Sequence, residues 1–177
     1  MIYGIFAIGE DGVMGDFNGL PWGKKAKADL RFFMEFTHDK IVVMGKNTFE
    51  SVGPLPGRRI IVLTKDKSYR HNSFDPSAKI VHSKEDVYKF AISQSEKDIV
   101  IAGGPGLIES FIDDIQIIKL TVIKDLASDN PFDGSHYLAK PFSAYGFDLH
   151  SLDRIEKDEV TFIHQTFYTL KRGVMNK

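Results

Sequence analysis

The stretch NGLPWGKKAKADLRFFMEFT, Asn18 to Thr37, puts a carboxylate where a carboxylate needs a reason. If Ala28–Thr37 is helical, Asp29, Phe32, Phe33 and Phe36 share one stripe, because residues three, four and seven apart lie on one helix face. That stripe should face a core or a cavity. An Asp near a helix start ordinarily caps the helix or offsets its dipole. Beside Phe33 and Phe36, however, the carboxylate loses hydration, and its pKa is expected to rise. It suits a ligand with paired N–H donors, such as an amidine-like ring edge, bound by a charge-assisted two-point contact.

Other candidates sit at the ends of apolar runs. In VIAGGPG a buried strand ends at Gly103–Gly104 and a helix begins near Pro105–Gly106. Such a junction lets backbone N–H groups approach a phosphate. It can also be a turn that simply needs glycine. The pattern is not G-x-G-x-x-G, so a standard dinucleotide fingerprint is unsupported. A second run ends at Met44–Gly45, followed by Lys46-Asn47-Thr48, and a third at Leu63-Thr64-Lys65. Open α/β sheets bind ligands at the carboxyl ends of their strands. Three such ends offering Gly, Lys and Thr can hold an extended diphosphate, although either lysine alone is ordinarily a solvated surface residue. Trp22, the single tryptophan, follows Pro21 in a Gly-rich loop. It is either a core anchor or a loop residue that covers a site.

The elements that must position these groups follow from periodicity. Ile2–Ile8, Ile41–Gly45, Arg59–Thr64, Lys79–His82, Asp98–Gly104 and Ile117–Ile123 are short apolar runs, read as strands covered on both faces. Helical patterns lie between them at Ala28–Thr37, Asn47–Val52, Ser83–Ser95 and Gly106–Ile115. Ser83, three residues before Asp86, resembles a helix cap. The alternation implies an α/β fold with a largely parallel sheet. Near the C-terminus, Phe147–Leu152, a polar RIEKDE turn and Val160–Lys171 read as an antiparallel pair at one side of the sheet.

Composition narrows the function classes. The 177 residues are 42% hydrophobic and 27% charged, fitting one globular domain over 1–177 with no interdomain linker. A formal net charge of -1 gives no global field for nucleic acid or an anionic membrane. There is no cysteine, hence no disulfide framework and no cysteine-ligated metal. No metal is called for. The apolar start has no basic n-region and is far shorter than the ~20 residues of a membrane helix. A cytoplasmic protein is expected.

Taken together, NGLPW, ADLRFF, VVMGKNTFES, PLPGRRIIVLT, VIAGGPGLIESF and KLTVI resemble the dihydrofolate reductase family, in its order and with similar spacing. The resemblance runs from Met1 to about Ile123 and more loosely through the C-terminal hairpin. It implies an eight-stranded, mostly parallel sheet flanked by helices, with an antiparallel C-terminal strand. It also implies NADPH-dependent reduction of 7,8-dihydrofolate to 5,6,7,8-tetrahydrofolate, in support of one-carbon metabolism and thymidylate synthesis. Antifolates such as trimethoprim or methotrexate are expected to bind, and the family is usually monomeric.

The same resemblance assigns residues. Asp29, Trp22 and Thr121 form the catalytic set. Asp29 would accept bonds from the pterin 2-amino group and N3–H and assist protonation at N5 through a water admitted by loop motion. Thr121 would hydrogen-bond that carboxylate. Ile5, Phe6 and Ala7 would line the pterin pocket, with Leu30 and Phe33 on one side, Val52 and Leu55 opposite, and Ile101 nearby. Arg58 would pair with the glutamate α-carboxylate, while Arg59 is a solvated neighbour. Ala7, Asn18 and Leu20 would frame the nicotinamide, and Ile8 and Ile101 would also bind the cofactor. Gly45, Lys46, Asn47, Thr48, Leu63, Thr64, Lys65, Gly103, Gly104, Pro105, Gly106, Leu107 and Ile108 would hold the rest of the cofactor. Lys46 replaces a common arginine but keeps a positive charge near the 2′-phosphate, favouring NADPH over NADH. The Gly103–Gly104 bond is expected to be cis.

Three stretches depart from the family pattern. GKKAKA before Asp29 is basic and slightly longer than in compact bacterial relatives. Ile108 stands where many relatives carry Tyr. KDLASDNPFDGSHYL, Lys124–Leu138, aligns poorly, so the Trp22 loop has no assigned partner. A pyrimidine reductase of riboflavin synthesis is one rival, with little reason to carry Asp29, Thr121 and Arg58 together. A non-catalytic folate- or nucleotide-binding protein is the other.

Overall fold

The computed structural model describes residues 1–15, 19–70, 75–95, 98–128 and 132–173. An eight-stranded sheet carries everything else. In chain order its strands are β1 (Ile2–Gly9), β3 (Ile41–Gly45), β4 (Arg59–Leu63), β5 (Lys79–Val81), β6 (Ile99–Ile101), β7 (Ile117–Asp125), β9 (Phe147–Asp158) and β10 (Ile163–Arg172). A separate short pair is formed by β2 (Val13–Gly15) and β8 (His136–Tyr137). The sheet order is β5-β4-β3-β6-β1-β7-β10-β9. Pairings from β5 through β7 are parallel, while β10 runs antiparallel to both β7 and β9.

The helices are α1 (Lys27–Phe36), α2 (Lys46–Val52), α3 (Lys84–Ser93) and α4 (Pro105–Phe111). Strand side chains alternate between the two faces. Ile41, Val43, Ile61, Ile101 and Ile118 pack with Val87 and Ala91 of α3 and with Leu107, Ile108 and Phe111 of α4. Val42, Met44, Ile60 and Val62 pack on the other face with Phe49 of α2 and Phe33 of α1. Strands covered on both faces become continuous apolar runs, which is why β3 and β4 were legible. Ser83 caps α3, its Oγ accepting the Asp86 N–H at 3.1 Å.

The C-terminal hairpin departs from expectation. β9 continues through the polar stretch expected to turn, as far as Asp158, with two register shifts against β10. Its polar side chains do the packing. The Arg154 guanidinium lies 4.3 Å from the Phe167 ring centroid and 5.4 Å from that of Phe32. Asp153 accepts from Thr169 Oγ1 at 2.6 Å. An edge strand built this way carries little apolar alternation to read.

The poorly aligned segment supplies the partner missing for the Trp22 loop. β8 pairs with β2, the Ser135 N–H donates to the Gly15 carbonyl at 3.1 Å, and Phe132 packs edge-on against Trp22 with ring centroids 5.5 Å apart. Gly134 permits this close approach. A Cβ there would press on Val13 Cγ2 and stand 2.8 Å from the Gly15 carbonyl oxygen, a backbone atom that cannot rotate away. Gly134→Ala is expected to lower stability by about 1–3 kcal/mol, read from thermal unfolding.

Candidate active site

α1 brings the opening question to a geometry. The expected Phe stripe divides. Phe32 packs edge-on against Phe167 and Phe36 against Tyr3, each with centroids 5.3 Å apart. Phe33 turns instead toward the cluster of Phe49 and Leu55. Asp29, in the first turn, is only 9% exposed. Burial raises its carboxyl from 3.8 to about 6, with the Thr121 hydroxyl pulling the other way. Thr121 is itself buried, and its Oγ1 makes no close hydrogen bond among the described residues. No cation forms an ion pair with Asp29 among the described residues. This is a carboxyl kept poorly hydrated and near the point of changing charge.

Trp22 is placed as a core anchor. It is 2% exposed, packed with Val13, Ala26, Ile123 and Ile163. Its indole N–H has no acceptor among the described residues and can donate to a ligand or a water. The basic residues that follow form an exposed 3-10 turn, Gly23–Lys25, leading into α1.

At the other end of α1, Arg58 is half-buried. Its Nε donates to Thr37 Oγ1 at 2.7 Å, Nη1 to the Pro56 carbonyl at 2.5 Å, and Nη2 to the Met34 carbonyl. Thr37 in turn donates to the Phe33 carbonyl at 2.7 Å. Burial lowers the guanidinium pKa, opposed by Asp39. A guanidinium has five N–H groups. Among the described residues three are engaged, which leaves one on each terminal nitrogen, a fork suited to a carboxylate. Arg59 is exposed, as expected. Asp29 and Thr37 are eight residues apart on one helix, about 12 Å of rise. Between them, Leu30 and Val52 stay 39% and 44% exposed, while Leu55 is buried.

Two pocket residues sit otherwise than expected. The strand period places Phe6 opposite Ile5 and Ala7. Its ring stacks on Phe142 at 5.9 Å inside the α3/α4 core, so only its backbone belongs to the Ile5 face. Ile101 is likewise fully buried in that core, while Ala102 packs, as Phe33 does, against the cluster of Phe49 and Leu55 on the other face. The expectation was one residue out of register, because IVIA is apolar throughout and carries no phase. Ile108 and Leu107 are also buried core residues of α4. Ile8 and Leu63 are half-buried on the same face as that core.

The glycine-bearing strand ends converge as the topology requires. β4, β3 and β6 are neighbours, and the Gly45 N–H donates to the Gly103 carbonyl at 3.2 Å. The Gly103–Gly104 peptide is cis, as expected, and Gly103 has φ +110, a conformation that favours glycine. A Cβ at Gly103 or Gly106 would meet nothing within 4 Å, and one at Gly104 only Thr48 Oγ1 at 3.9 Å. Open backbone lies above these ends, with Pro105 starting α4. Lys46 Nζ stands 3.5 Å from Asp66 and 4.8 Å over the Tyr69 ring. Thr64 Oγ1 accepts the Asp66 N–H at 3.2 Å, its carbonyl bonds His82 Nδ1 at 2.8 Å, and Lys65 and Asn47 are exposed. Leu20 is 43% exposed, and Asn18 lies outside the described residues. These groups fit a dinucleotide: a glycine cradle at one end and a lysine at the other. None of the helices among the described residues is long and apolar enough to cross a membrane.

Comparison with known proteins agrees with this architecture. A family model described as dihydrofolate reductase matches residues 1–172. The dihydrofolate reductase of Lactococcus lactis is 30% identical, aligned over 97% of this chain and 99% of its own. That of Staphylococcus aureus is 34% identical over 90% and 91%. The structure of the Enterococcus faecalis dihydrofolate reductase complexed with NADP(H) and RAB-propyl superposes with a TM-score of 0.82 at 27% identity, covering 98% and 96% of the two chains. With the family model spanning all but the last few residues, the chain belongs to the dihydrofolate reductase family.

Proposed function

We propose that this chain reduces 7,8-dihydrofolate to 5,6,7,8-tetrahydrofolate with NADPH, Asp29 holding the pterin and Arg58 the glutamate tail. The observation that carries this reading is a buried carboxyl in the first turn of α1 together with a half-occupied guanidinium fork that Met34 and Thr37 hold at the same helix's other end. A flat heterocycle with adjacent N–H donors fits the first, and a carboxylate fits the second.

NADPH, when bound, supplies the hydride that is added at pterin C6. The chain's own residues do the rest. Asp29 accepts from the pterin 2-amino group and N3–H and fixes the ring's orientation. Thr121 biases the carboxyl toward its ionised form against the effect of burial. Trp22 and its packed neighbours exclude water from one side, and movement of the loop from about Gly9 to Lys24 admits the water that protonates N5. Leu30, Phe33, Val52, Leu55 and Ala102 provide apolar walls. Gly45, Thr48, Thr64, Gly103 and Gly104 cradle the dinucleotide, with Lys46 at its 2′-phosphate. Most of the acceleration comes from positioning in a water-poor pocket.

By the same reading, antifolates with an amidine-like edge, such as trimethoprim or methotrexate, meet Asp29 as the substrate does. Lys46→Ala is expected to reduce the preference for NADPH over NADH about tenfold, measured as the ratio of kcat/KM values. The deciding experiment follows NADPH oxidation by absorbance with dihydrofolate as acceptor. Turnover supports the assignment. Turnover only with the pyrimidine of riboflavin synthesis points to the related reductase. Tight antifolate binding without any oxidation of NADPH points to a binding protein.

A further inference from the structure

The first N–H groups of a helix have no partner within it, and an N-cap side chain usually meets the third of them. Ala26, at the N-cap of α1, offers no such side chain. The third helical residue is Asp29, and its N–H is met from elsewhere: it donates to Oε1 of Gln165 at 2.8 Å, 136 residues away on β10. Gln165 is 2% exposed. It shares a face of β10 with Phe167, which pairs with Thr121 of β7. Adjacent strands therefore flank the same residue, Thr121 near its carboxyl and Gln165 bonded to its backbone N–H.

We propose that Gln165 is a positioning residue for Asp29, a helix cap supplied by the sheet that fixes where the carboxyl stands above β7. The proposal rests on the role given to Asp29 above. Ordinary capping would end at helix stability. Here the capped N–H belongs to the residue whose side chain meets the substrate, so the bond sets the height and aim of that side chain. The surroundings make the amide's contribution separable. A cleft of about 250 Å³ opens beside Gln165, lined by Lys27, Arg31, Lys157, Glu156, Asp158 and Glu159. Three cations and three anions line it, so replacing the neutral amide by alanine changes no net charge there. If Gln165 is shortened, water from this cleft can reach the Asp29 N–H. The fold is then largely kept, but the carboxyl becomes better hydrated and less fixed.

The test compares Gln165→Ala, Gln165→Glu and Asp29→Asn with the unaltered protein. In Gln165→Ala the KM for dihydrofolate should rise about fivefold, the effect of one lost cap, while NADPH affinity stays within about twofold. The midpoint of its kcat/KM pH profile should fall by about half a unit or more, because hydration favours the ionised carboxyl. Gln165→Glu keeps an acceptor of the same length and adds a negative charge, so it should restore KM and move the midpoint upward. Dihydrofolate KM and pH midpoint unchanged in Gln165→Ala would overturn the proposal. So would equal losses of both ligands with an unmoved profile, the mark of a merely structural residue. Full turnover by Asp29→Asn would overturn the site assignment itself; an inactive Asp29→Asn beside a wild-type-like Gln165→Ala overturns only the inference about Gln165.

Discussion

Asp29→Asn is expected to lose most turnover near neutral pH and, at the same time, to unfold at a higher temperature than the unaltered chain. Both results come from one property. The folded protein raises this carboxyl from 3.8 to about 6. A raised carboxyl pKa means that the native state holds the proton more tightly than the unfolded chain does. The corresponding stability is fully present below pH about 4 and is lost as pH rises through about 6. Above that, keeping the ionised group buried costs about 3 kcal/mol. Asparagine is nearly isosteric and never ionises. Allowing for its altered bonding near Thr121, a gain of roughly 1–3 kcal/mol near neutral pH is expected, about 3–8 °C in melting temperature. Below pH about 4 the two proteins should converge.

The activity result has the opposite sign. Loss of a positioned acid–base group reduces rates on the order of 10²-fold or more. The pH dependence that ionisation of Asp29 near 6 gives to wild-type activity should also disappear from the variant's profile, while NADPH binding is preserved. A variant that is stabilised yet fully active would separate the buried carboxyl from the chemistry and end the proposed role. This is the familiar conflict between stability and function, located in a single side chain.

The second large effect is at Arg58. Arg58→Lys keeps the charge but cannot hold Thr37, Pro56 and Met34 while also presenting two parallel N–H groups. Losing a charge-assisted pair of bonds costs about 2–3 kcal/mol, so KM for dihydrofolate should rise roughly 30–150-fold with kcat little changed. A dihydropterin without the glutamate tail provides the control. Its kinetics should not distinguish lysine from arginine. If the tailed substrate is equally indifferent, Arg58 does not read the carboxylate.

The sequence made the central strands legible because burial on both faces leaves long apolar runs. β3 was bounded correctly, and α1 to within one residue. Asp29 stood out because its helical neighbours are aromatic. Thr37 and Gln165 did not, since each is an ordinary polar residue until its partner is known. A signal for Gln165 was available: it alternates with Ile163 and Phe167 on the inward side of β10, where an amide must find a bond. The Ile101–Ala102 phase was unreadable in a uniformly apolar run. β2 and β8, with three and two residues, are too short for any period.

Both ends of the ligand, on this reading, are gauged by α1. A helix is stiff along its axis, because every added residue brings the same rise and the same hydrogen bond. The interval between heterocycle and acid therefore cannot relax by breathing of the surrounding sheet. Inserting one residue between Asp29 and Met34 would swing the Met34 and Thr37 acceptors that hold Arg58 about 100° around the axis relative to Asp29. Molecules of altered length should be rejected sharply, whereas variation in girth beside Leu30 and Val52 should be tolerated. Selection for new ligands would thus work on the waist of the groove and leave its span alone.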